Sequence, residues 1–179
     1  MLKCSRILAA ILGMGLFLGT AWAVKPEDFF KGRIMVTDSR LPLRFPTENA
    51  FIAAVRRANI DHVWPKEEKG NDHAVWTIEY IAFFARPLND NEITVKFWEV
   101  TGGGQRFVAG DEQYTRERGS RVFASSITLS KPDFDTNKQY LMTIDSGSRV
   151  LAQTKFWLRG KGPKYSGKVE FSDEEARLK

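Results

Sequence analysis

A chain of 179 residues with a net charge of +5 and 42% hydrophobic residues has the composition of one globular domain. So small a cationic excess, without a clustered basic footprint, argues against a nucleic-acid binder. A single cysteine (Cys4) and two histidines (His62 and His73) leave little room for thiol or metal chemistry.

The N-terminus reads as a secretory leader. Lys3 and Arg6 precede an apolar run from Ile7 to Gly19, and Ala21 and Ala23 supply the small residues that a signal peptidase reads. Cleavage is predicted after Ala23. The run falls short of the roughly 20 apolar residues that span a bilayer, so no transmembrane anchor is expected once the leader is cut. Cys4 lies ahead of the run, not at the cut where a lipidated cysteine would sit, and it leaves with the leader. Residues 24–165 are then expected to form one disulfide-free domain, followed by a polar tail over 166–179. The expected location is the periplasm or the exterior.

Within the domain, Arg33 to Thr37 reads as a first strand, ended by Pro42. A helix is predicted over about 47–59: Thr47 suits the N-cap, Glu48 the positive end and Arg56 and Arg57 the negative end. Its apolar stripe runs through Phe51, Ile52 and Val55. From Val75 onward the period changes to two. Trp76, Ile78, Tyr80, Ala82 and Phe84 share one face of a strand, and Glu79 falls on the other, read as solvated. "ITVKFWEV" groups Ile93, Val95 and Phe97, and further strands are expected at "QRFVA", "RVFASSITL", "KQYLMTID" and "RVLAQTKFWL". Many short alternating strands with regular turns indicate a mainly β fold, an antiparallel sandwich with one packed helix.

The stretch "KPDFDTNKQYLMTIDSGSRVLAQTKFWLRG" resembles the last two strands of many immunoglobulin-like bacterial sandwiches, with Tyr140 opening the penultimate strand and a hairpin at Asp145 to Ser148. The resemblance implies a fold and no substrate, cofactor or site.

Known chemical motifs fail one by one. "TGGGQRFVAG" offers glycines beside Arg106, but it lacks the Lys-Ser/Thr pair of a phosphate loop and continues as an alternating strand, so it reads as a hairpin turn. Asp133, Asp135 and Asn137 open like a calcium loop, yet Lys138 and Ile144 stand where glycine and a closing glutamate are needed. His62 and His73 have no metal-ligand spacing. No cofactor, no metal and no catalytic residue are expected.

Contact residues are the remaining candidates. Tyr114, Arg116, Arg118 and Arg121 are read as a cationic rim, and Trp98 and Trp157 fall out of phase with the apolar sets of their strands. Two readings stay open for the tryptophans: an exposed aromatic patch, or a second core layer beneath the helix. The chain is accordingly expected to be a non-enzymatic binding or scaffolding protein of the bacterial cell envelope, acting on a protein partner. The alternative is a periplasmic protein that binds glycan or polyanion, such as an anionic surface, or a carboxylate-based hydrolase.

Overall fold

The computed structural model describes residues 24–42, 44–66, 74–115 and 118–160. The expected leader and polar tail lie outside the described residues. A short helix α1 (Pro26–Phe29) leads into strand β1 (Arg33–Thr37), helix α2 (Glu48–Ala58) and the short strand β2 (His62–Val63). Then come β3 (Val75–Phe83), β4 (Glu92–Thr101), β5 (Gly104–Tyr114), β6 (Val122–Ser130), β7 (Lys138–Ser146) and β8 (Arg149–Leu158). The protein is mainly β, with a packed helix where one was expected. Among the described residues, no helix is long and apolar enough to cross a membrane.

Hydrogen bonds trace one path, β5-β4-β7-β8-β1-β3-β6, with β2 beside β8. The path narrows at one place, where β1 meets β8 through the single pair Arg33 and Gln153. Elsewhere the pairing is antiparallel, with register shifts in the β4–β5 and β7–β8 ladders, except that β2 lies parallel to β8. The sheet therefore curls at this weak joint into a layer β5-β4-β7-β8 and a layer β1-β3-β6. One core fills the space between them. Trp76, Ile78 and Tyr80 from one layer join Val95, Phe97, Met142 and Phe156 from the other, all within 1% of full burial. The strict alternation along β3 and β4 produces this inward row.

Helix α2 forms because its first turn is capped. The Thr47 hydroxyl accepts from the Ala50 N–H at 3.1 Å, and Glu48 and Arg56/Arg57 suit the two ends of the helix dipole. Ile52 and Val55 pack with Phe30, Met35, Ile81 and Phe83 on the outer face of β1 and β3. At the helix end the Asn59 side chain accepts from the Val36 N–H at 3.1 Å, and the Ile60 N–H reaches the Val36 carbonyl at 2.8 Å. Cap and clasp together pin α2 to the β1-β3-β6 layer.

Two features of the turns match the sequence reading. Gly102 and Gly103 join β4 to β5 with φ of 53° and 90°, the double positive-φ turn that fits the twist of a tight hairpin. The Tyr140 hydroxyl, at the start of β7, accepts from the Asp135 N–H at 2.8 Å and ties the preceding link back to the strand. This is the tyrosine corner found where sandwich strands change layer.

Tyr140→Phe keeps the ring and leaves the Asp135 N–H without its partner. Chemical denaturation should show a loss of about 0.5–1.5 kcal/mol, the net worth of one hydrogen bond whose donor belongs to an exposed residue. An unchanged midpoint would mean that the corner contributes nothing to stability.

Candidate functional site

Curling brings the two ends of the strand path, β5 and β6, to the same side of the sandwich, where no strand among the described residues joins them. Between them lies a groove of about 730 Å³. Its β5 wall is Gln113, Tyr114 and Thr115, and its β6 wall runs from Val122 to Ser126, with Phe84 and Leu88 as apolar floor. A side-chain contact crosses between the layers: the Tyr80 hydroxyl meets the Gln113 side chain at 2.7 Å. Burial pushes the Tyr80 phenol well above its ordinary range, with the Asp111 charge adding to the effect, so it stays a neutral donor. A second groove of about 370 Å³ lies on the outer side of β6, walled by Leu41, Pro42 and Phe51. Arg40 lines both.

The two edge strands are unlike. β5 carries Arg106, Asp111 and Glu112, and its pairing with β4 slips between Phe97 and Trp98, so that Val108 is an extra residue. Charge and a bulge are the devices that keep an edge from pairing with foreign strands. β6, "VFASSITLS", has neither: no charged residue, no proline and an unbroken register with β3.

Backbone parity identifies which groups of β6 are open. The Phe84 N–H donates to the Arg121 carbonyl at 2.8 Å, which makes that pair a hydrogen-bonded one. By alternation Phe123, Ser125, Ile127 and Leu129 then turn their backbone groups toward β3, and Val122, Ala124, Ser126, Thr128 and Ser130 turn theirs away. The ends of the free row are closed within the chain. The Ser120 hydroxyl donates to the Val122 carbonyl at 2.7 Å and accepts from its N–H at 3.2 Å. The Ser130 carbonyl accepts from Phe134 N–H at 3.2 Å. Among the described residues nothing pairs with the backbone of Ala124, Ser126 or Thr128.

The expected contact residues separate into different places. Tyr114 lies on the groove and is 71% exposed. Arg118 holds the Asn91 side chain at 2.7 Å. Arg121 is a clamp: its guanidinium meets Asp28 at 2.6 Å and the Phe84 carbonyl at 3.3 Å, fastening α1 to the end of β3. Arg116 and His73 lie outside the described residues. Trp98 and Trp157 are half-buried on the outer face of the β4-β7-β8 layer, and α2 packs on the other layer, so it does not cover them. Trp98 stacks edge-on against Phe107, and Trp157 is covered by the Arg159 guanidinium at 4.9 Å. Neither lines either of these two grooves.

Carboxylates are engaged by cations. Glu99 shares the inward phase of Ile93, Val95 and Phe97, is 3% exposed and meets Lys138 and Arg106, the latter at 2.5 Å. Hydrogen bonds from Lys138 and then Arg106 hold its carboxyl below the usual carboxylate range, outweighing burial. Asp145, on the outer face, meets Lys96 at 2.8 Å. Glu79 is on the outer face, but that face is not the solvated one expected: its side chain is only 19% exposed, 3.5 Å from Arg40. His62 lies 2.9 Å from the Arg159 guanidinium; since arginine can only donate, its Nε2 accepts. Among the described residues, no cluster of His, Cys, Asp and Glu is arranged to hold a metal.

Neither a protein-family model nor a curated protein matches the sequence. Among solved structures, part of the chain is similar to β-glucosidase from Kluyveromyces marxianus, at 12% identity over 55% of this chain and 14% of that one, with a TM-score of 0.31. The same enzyme in complex with glucose gives 12%, 55%, 14% and a TM-score of 0.28. The match covers a small part of that enzyme, and at these scores it carries no inference for this chain.

Glu99→Gln should destabilise the protein at neutral pH, where the charged carboxylate holds both cations. A carboxyl with a depressed folded pKa stabilises above its unfolded value, and that stability is lost as pH falls through the folded value. The gap between wild type and variant should therefore close below about pH 4, the ordinary carboxylate range. Denaturation midpoints measured across acid pH check this, and a constant gap would contradict it.

Proposed function

We propose that this chain is an exported, non-catalytic binding or scaffolding protein of the bacterial cell envelope, an immunoglobulin-like sandwich that acts by protein–protein contact through the groove between β5 and β6. The observation that carries the reading is the open row on β6, backbone groups without partners among the described residues, facing a groove beside the exposed Tyr114. Unpaired backbone on an uncharged edge is a surface that another polypeptide completes. Export rests on the leader pattern of Lys3, Arg6, Ile7 to Gly19 and Ala21 to Ala23. The tyrosine corner and the two facing layers support the immunoglobulin-like reading.

The glycan alternative needs aromatic faces in a concave site. Trp98 and Trp157 are instead packed against Phe107 and Arg159 on a convex layer. The hydrolase alternative needs facing carboxylates, whereas Glu99 and Asp145 each meet cations.

Photoreactive side chains placed at positions 114 and 124 of the exported chain, then illuminated in an envelope extract, should give discrete protein adducts. The same label at Val150, 51% exposed on β8, should not. Equal adducts at all three positions, or none at 114 and 124, would contradict a contact site in the groove.

A further inference from the structure

We propose that the occupant of this site is an extended segment of another protein, which adds itself as a strand to the edge of β6 and pairs with Ala124, Ser126 and Thr128. The inference rests on the protein-contact reading above and gives it a binding mode.

Three observations converge on a strand. First, the open donors and acceptors recur at every second residue, and the row is bounded by Ser120, which engages both backbone groups of Val122, and by Phe134, which engages the Ser130 carbonyl. Only another extended backbone repeats donors and acceptors at that interval. Second, the edge stands clear on both sides, with the 730 Å³ groove on its inner face and the 370 Å³ groove on its outer face. An added strand sends successive side chains to opposite faces, so both are filled by one alternating segment. Third, Phe123 and Ile127, which face inward on β6, are only half-buried for want of a neighbour on this side.

The linings state the chemistry of the segment. The outer groove, where Leu41, Pro42 and Phe51 stand beside the mutually paired Arg40 and Glu79, takes apolar side chains. The inner groove, with Gln113, Thr115 and Ser125 beside the apolar floor, takes small hydroxyl-bearing or apolar ones. The ligand is thus an uncharged alternating strand such as a Val/Ser or Val/Thr repeat. β5 does not compete for it, because Arg106, Asp111, Glu112 and its bulge blunt that edge.

Proline separates pairing from folding. At position 124 or 126 it removes an N–H that points away from β3, a substitution an edge strand tolerates. At position 125 it removes one that pairs with β3. The probe is a short fluorescent peptide of alternating valine and serine with lysine ends, titrated against the exported chain by anisotropy. Ala124→Pro and Ser126→Pro should keep the wild-type unfolding midpoint and weaken binding by about tenfold or more, as expected when backbone hydrogen bonds are lost. Ser125→Pro should unfold the domain. Retained affinity in the two edge variants would overturn strand pairing. If Tyr114→Ala alone weakened the peptide, the groove would remain the contact site without it. Dimerisation of the wild type that Ala124→Pro abolishes would give the edge to a second copy. Affinity that rises when residues 161–179 are replaced by glycine and serine would give it to the chain's own tail. Either result overturns the proposal.

Discussion

A strand interior to a sheet hydrogen-bonds on both sides, and among the described residues β6 does so on one. That asymmetry follows from the way the sheet curls. The path of strands has two ends, β5 and β6, and the single pair between Arg33 and Gln153 is weak enough to let the layers fold face to face. Folding buries the alternating row of β3 against those of β4, β7 and β8, which is where the hydrophobic free energy is gained. The same movement carries both path ends to one side without joining them. The groove, the open row at Ala124 to Thr128 and the half-burial of Phe123 and Ile127 are consequences of that geometry.

The structure treats its edges unequally. β5 is protected by charge and by the extra residue at Val108, and it is tied across the interior by Gln113 to Tyr80. Burial raises the Tyr80 phenol pKa, so this tie persists into alkaline solution where an exposed phenol would ionise. β6 has neither protection, yet Ser120 closes its first residue. An unprotected edge is a hazard for aggregation, and among the described residues it runs over the middle of a nine-residue strand.

What could be read in the sequence was whatever repeats locally. Periods of two and 3.6 place Trp76, Ile78 and Tyr80 inside and Ile52 and Val55 under the helix, and the glycines at 102 and 103 declare a tight turn. Glu99 was also within reach, because it continues the inward phase of Ile93, Val95 and Phe97; what local pattern cannot supply is its partners, Arg106 and Lys138, which come from neighbouring strands. Strand order is non-local too. Nothing in "VFASSITLS" says that it ends a sheet, and nothing near Arg121 says that its charge is consumed by Asp28. The tryptophans show the same limit. Their phase puts them outside, but the strand order decides that α2 covers the other layer, and Phe107 and Arg159 pack on them instead.

Amide hydrogen exchange along β6, followed residue by residue by NMR on the exported chain, tests the central claim most directly. Slow exchange is predicted at Phe123, Ser125, Ile127 and Leu129, whose N–H groups face β3, and fast exchange at Ala124, Ser126 and Thr128, whose N–H groups face the groove. Uniform protection across these seven amides would contradict an open edge, and with it the site built on it.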